Sequence, residues 1–112
     1  MKIHKGLTQE RWNTLSMLVQ LANVGTDIER TIRWKNQGNQ EYSMQAFERA
    51  LELLDMTIAD PKNRGCRGRE LLRAREALAD HFFFDNEYNS TDQSWQDYFY
   101  QFGYAAALER GR

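Results

Sequence analysis

From residue 9 to residue 36, apolar side chains recur at Trp12, Leu15, Leu18, Val19, Ala22, Ile28 and Ile32. Most are three or four positions apart, the repeat of one face of an α-helix. Thr8 stands where an N-cap belongs, and Gln9 and Glu10 fill the first turn behind it. The pattern predicts one long helix over 9–36. Gly25 interrupts it at a cost of about 1 kcal/mol relative to alanine and marks a place for a kink. The segment "NQGNQ" closes this helix, with Gly38 as the left-handed residue on which helices commonly end.

A second stripe of Phe47, Leu51, Leu54 and Ile58, flanked by Ala50 and Leu53, predicts a helix over 40–59. Pro61 stops it, because proline disfavours helix in the residue before it. Beyond the loop "PKNRGCRG", Leu71, Ala74, Leu78, His81 and Phe82 predict a third helix over 67–85. Trp95, Tyr98, Phe99, Phe102, Ala105 and Ala106 predict a fourth over 91–109. Its start is written either as a capping box from Ser90 to Gln93 or with Thr91 as the N-cap. Four amphipathic helices with short connections predict an all-α domain over 1–112, an antiparallel four-helix bundle with a long first helix.

Two aromatic runs overfill that design. Phe82, Phe83 and Phe84 span about 200° of helix circumference, and Tyr98, Phe99 and Tyr100 do the same on the last helix. One core cannot take all six rings. Those left outside, with Phe83, Phe84, Tyr98 and Tyr100 as the candidates, predict a protein interface and a homo-oligomer, a dimer first.

Composition adds little that the pattern lacks. In 112 residues there are one proline and one cysteine, Cys66. No intramolecular disulfide is possible, and a cytoplasmic, reducing setting is the expectation. No apolar run reaches the roughly 18 residues of a membrane span, and "MKIHKGLTQE" carries no apolar signal region. The net charge of −1 argues against a dedicated nucleic-acid binder, although charge is segregated. Residues 1–75 hold 13 basic and 9 acidic side chains, whereas residues 76–112 hold 2 and 7. Two halves of opposite sign can neutralise each other within a bundle or across a dimer.

Candidate chemistry collects after Pro61. Arg64, Arg67, Arg69 and Arg73, near Lys62, surround a glycine-bearing loop that leads into a helix start. Guanidinium forks and free backbone donors suit phosphate groups, RNA included. A solvated basic loop facing the acidic 76–97 region is the plainer reading. His81 and Asp85, four residues apart with Asp80 and Glu87 nearby, give too few good ligands for a zinc site, so no metal and no cofactor is expected. Asp85, Asn86, Glu87, Asn89, Ser90 and Thr91 have the residue types that cap helix ends.

Arg75, five residues and then His81 form an R-x5-H arrangement. It resembles the R-x(4–6)-H motif of HEPN domains, small helical-bundle proteins that often dimerise. Many of that family are metal-independent ribonucleases or toxins. The resemblance implies proton transfer by His81 and stabilisation of phosphorane charge by Arg75. On one helix, residues six apart lie about 120° and 9 Å from each other, so a dimer cleft would have to gather them. "AFERALELLDMTIADPKNRG" with "DNEYNSTD" is similar to a group of short bacterial helical proteins of unassigned function, and it carries over no catalytic residue. The resulting expectation is a non-enzymatic, self-associating interaction module, with the HEPN-like ribonuclease as its alternative.

Overall fold

Four of the five α-helices among the described residues start from a short polar side chain, and the one that opens at Cys66 starts from Gly65 without one. In a computed structural model that describes residues 6–111, Thr8 accepts the Arg11 amide, Ser16 the Val19 amide and Asn39 the Tyr42 amide. Thr91 accepts the Ser94 amide, and the Ser94 hydroxyl takes the Thr91 amide in return. Each of these side chains stands in for a carbonyl that the first turn lacks. The helices that follow are α1 (Gln9–Asn13), α2 (Met17–Asn36), α3 (Gln40–Ala59), α4 (Cys66–Phe83) and α5 (Asp92–Arg110). A 3₁₀ turn at Pro61–Asn63 links α3 to α4. No strand occurs among the described residues, and the protein is all-α. The opening residues 1–5, read above for a targeting segment, and the final residue lie outside the described residues.

The expected continuous first helix is two helices. Thr14 turns its hydroxyl back onto the Arg11 carbonyl at 2.6 Å, and Ser16, extended at ψ 158°, caps a new helix. Hydroxyl side chains that bond their own backbone compete with helix continuation. The break lets α1 lie across α3, so that Trp12 is buried and its indole N–H donates to Thr57 Oγ1 at 3.0 Å. Gly25 lies well inside α2 and marks no break.

At the far end of α2, Gly38 takes φ +79°, and two bonds close a Schellman motif: Asn39 N–H to the Trp34 carbonyl and Gly38 N–H to the Lys35 carbonyl. The last helix starts from Thr91 with Ser94 as its box partner, in place of the Ser90–Gln93 box, and runs one residue beyond the expected end.

Helix α2 occupies the middle, packed against α3 on one side and α5 on another, while α4 packs against α3. One connected core draws Trp12, Leu21, Val24, Ile28 and Ile32 together with Phe47, Leu53 and Leu54, then Leu71 and Leu78, then Trp95 and Phe99. It therefore includes side chains from all five helices. Among the described residues no helix is long and apolar enough to cross a membrane.

Candidate functional site

The third and fifth helices compete for the chemistry expected on α4. Arg75 leans on α3, where its Nε donates to Asp55 Oδ1 at 2.5 Å and its Nη2 to Asp55 Oδ2 at 3.3 Å. That hydrogen bond raises the guanidinium pKa further above its ordinary value. His81 turns towards α5. Its Nε2 lies 2.8 Å from Asp92 Oδ1, and only 8% of the side chain is exposed. Lys35, from the end of α2, donates to both Asp92 oxygens at 3.0 and 3.2 Å and lies over the Phe82 ring. Asp92 thus ties the ends of α2, α4 and α5 together. Within one chain, Arg75 and His81 have different partners on different helices and share no site.

Asp92 is held below the ordinary carboxylate pKa. Burial works in the opposite direction, but the hydrogen bonds from His81 and Lys35 and their charges prevail. Asp60 behaves in the same way: burial again opposes, and bonds from Lys62 and Gln20 lower it. A depressed carboxylate pKa adds stability above the unfolded-state value of 3.8, and this is lost as pH falls through the lower folded-state values. Acid unfolding is therefore expected to steepen below about pH 4. The Asp60→Asn, Asp92→Asn double variant should show a flatter acid limb in circular dichroism titrations. An unchanged limb would mean that neither carboxylate contributes.

The polar turn after α4 is organised by Asp80, which the sequence reading placed only among possible metal ligands. Its buried carboxylate accepts the amides of Glu87 at 2.9 Å and Tyr88 at 3.0 Å, and its carbonyl accepts those of Phe84 and Asn86. Asn86 and Asn89 take the left-handed conformation, and the Asn86 amide clamps the Ser90 backbone through both its oxygen and its nitrogen. The expectation that these residues cap helix ends thus applies to Thr91, whereas the Asn86 side chain is used inside the turn. The outcome is a hydrogen-bonded turn that leaves Phe84 74% exposed, with Tyr88, four residues further on, also exposed. Among the described residues no three His, Cys, Asp or Glu side chains gather as a metal-binding group.

The basic loop is outside, as a phosphate reading needs, but it is not organised around a ligand. Arg67 reaches the Met17 sulfur and Arg69 the Cys66 sulfur, while Arg64 and Arg73 are exposed without a polar partner among the described residues.

Of the four residues expected at an interface, Phe84 and Tyr100 stand out in solvent. Phe83 is half-out, its ring 4.8 Å from that of Phe47. Tyr98 is different: it packs against Trp95, Phe99 and Phe102, and its buried hydroxyl has no hydrogen-bond partner among the described residues. Helical geometry explains this, because Tyr98 shares the inner face of α5 with Trp95 and Phe102, while Tyr100 is on the outer face. Burial, together with the Glu70 charge, pushes the Tyr98 pKa up to about 12.

A raised tyrosine pKa contributes stability that is whole below the ordinary value of 10 and is lost as pH climbs towards 12. Tyr98→Phe is expected to remove a phenolate absorbance step near pH 12. Because it deletes a buried, unpaired hydroxyl, it should leave stability unchanged or raise it by about 1 kcal/mol. A loss above about 1 kcal/mol would show that the hydroxyl is bonded in solution.

Missed by the sequence reading were Tyr104 and Leu108, 58% and 55% exposed. Tyr100, Tyr104 and Leu108 recur every four residues on the side of α5 opposite the Trp95–Phe99–Ala106 stripe, so a second apolar stripe was available in the spacing. Beside it runs an open groove of about 640 Å³ between α2 and α5, lined by Gly25, Glu29, Arg33, Asp97 and Tyr100 among others.

These features define an all-α protein with exposed aromatic faces and separated ion pairs. Comparison of the chain with protein-family models, with curated proteins and with solved structures finds no match.

Proposed function

We propose that this protein is a small cytoplasmic interaction module, without catalytic chemistry of its own, whose helices form an antiparallel bundle that self-associates through exposed aromatic side chains. The observation that carries this reading is the pair of outward aromatic faces: Phe83, Phe84 and Tyr88 at the α4–α5 tip, and Tyr100 with Tyr104 on α5. Rings of this size left in water mark docking surfaces. Arg75 and His81 support the same reading, since each is engaged by a carboxylate on a different helix. Proteins of this kind act by what they hold together.

The test has two parts. Light scattering during gel filtration, under reducing conditions because Cys66 is exposed, is expected to give a mass above that of one chain. Incubation with end-labelled transfer and ribosomal RNA in EDTA is expected to leave the RNA intact. Cleavage by the wild type that His81→Ala lacks would replace this reading with the HEPN-like ribonuclease. In that case Arg75 and His81 would meet across subunits, with Arg64, Arg67, Arg69 and Arg73 holding the RNA phosphates.

A further inference from the structure

Helix α5 is apolar on two opposite faces. The inner face, with Trp95, Phe99 and Ala106, belongs to the core. The outer face presents Tyr100, Gly103, Tyr104, Ala107 and Leu108 within an arc of about 140°. Tyr100, Tyr104, Ala107 and Leu108 are exposed, and the two tyrosine rings stack on each other at 6.4 Å. Gly103 has no side chain, and an added Cβ would meet nothing within 4 Å. The outer stripe therefore alternates large rings with small residues, a relief into which another helix can settle closely.

We propose that this face binds the same face of a second copy, the two α5 helices running antiparallel about a two-fold axis near Gly103. This rests on the reading of the chain as a self-associating module and names the surface that does it. A second copy is favoured because the face is self-complementary. It carries both the tyrosine rings and the small residues at which a partner's rings would find room, as an isologous contact requires.

Charge sets the direction. Asp97 lies towards the N-terminal end of the face, beside a groove rim on which Glu29 is balanced by Arg30 and Arg33, and Arg110 lies at the C-terminal end next to Glu109, which accepts from Ser16. Antiparallel pairing brings Arg110 of each copy towards Asp97 of the other and also opposes the helix dipoles. Parallel pairing would set Asp97 on Asp97 and Arg110 on Arg110. The face from Asp97 to Arg110, about 20 Å of helix, makes a small interface, in the class with dissociation constants near micromolar.

Sedimentation velocity of the full chain in reducing buffer, from about 1 to 300 µM, brackets that range. Wild type is expected to pass from monomer to dimer. Gly103→Leu fills the space offered to the partner's ring while meeting nothing within its own chain. It should weaken the dimer at least about tenfold and leave the circular dichroism melting curve of dilute protein unchanged or shifted upwards. Tyr104→Ser should weaken the dimer similarly, and Leu72→Ser, an exposed site on α4, should not. Arg110→Asp should weaken it, and adding Asp97→Arg should restore it.

A dimer indifferent to Gly103→Leu and Tyr104→Ser but abolished by Phe84→Ser would overturn this inference while sparing self-association. Failure of Asp97→Arg to rescue Arg110→Asp would overturn the antiparallel arrangement. A monomer at every concentration would overturn both the inference and the reading beneath it.

Discussion

Gln20→Met, a change that nearly conserves volume, is expected to lower the unfolding free energy by about 3 kcal/mol. Gln20 is completely buried at the centre of a polar cluster that joins four segments of the chain. Its Nε2 donates to the Trp12 carbonyl at 2.9 Å and to Asp60 Oδ2 at 2.8 Å, and its Oε1 accepts from Asn63 Nδ2 at 3.0 Å. Asn63 also donates to the Thr57 carbonyl, and Thr57 receives the Trp12 indole. Lys62 closes the cluster on Asp60 and on the Asn13 carbonyl.

Methionine fills the space but leaves these partners short of a bond where water cannot replace it. Each retains at least one other bond, which keeps the cost well below that of three orphaned groups. Urea denaturation followed by circular dichroism measures it, and a loss under about 1 kcal/mol would show that the cluster tolerates an apolar centre. Asn63→Leu should cost a similar amount. The double variant should cost less than the two singles together, because they share one hydrogen bond.

Gly25→Ala is expected to destabilise the protein by about 1–3 kcal/mol, although the same change in an exposed helix would stabilise it by about 1 kcal/mol. A Cβ at Gly25 would stand 2.8 Å from Phe99 Cβ and 3.2 Å from Phe99 Cγ. The obstacle is the root of a side chain, so α5 itself has to retreat from α2. Gly103, where an added Cβ would meet nothing within 4 Å, is the internal contrast: Gly103→Ala in dilute solution should raise the melting temperature by roughly 4 °C or more. If both alanines stabilise, α5 sits further from α2 than this packing requires.

Gly25 also shows how far local pattern reaches. In the sequence it interrupts a helical stripe and suggests a kink, because glycine's local effect is a cost in helix propensity. The helix runs on through Gly25, whose place is set by Phe99, on a helix some seventy residues later in the chain. The break lies instead at Thr14–Ser16, where hydroxyl groups were present in the sequence but the long apolar stripe outweighed them. Tyr98 and Tyr100 teach the same lesson in reverse. Both were read as interface residues, yet two positions along a helix turn a ring by about 200°, from the core to water. Knowing which of the two is inside requires knowing where α2 lies.

Arg75 and His81 were legible as residue types with a suggestive spacing. Their partners, Asp55 and Asp92, are 20 and 11 residues away in the chain and were not legible. The sequence places Asp80 beside His81 only as a possible metal ligand, whereas its carboxylate supports the turn that displays Phe84 and Tyr88.

By itself the sequence determined the all-α class, the spans of α3, α4 and α5 to within two residues, the turn at Gly38 and the surplus of aromatic rings. All of these follow from interactions over a few residues: helical periodicity, capping, and the backbone restrictions of glycine and proline. Only the tertiary structure decided the break before α2, the close approach of α5 at Gly25, the buried cluster around Gln20 and which aromatic rings remain in solvent. Those depend on contacts between distant segments, and a repeat of three or four residues carries no information about which helix will lie against it.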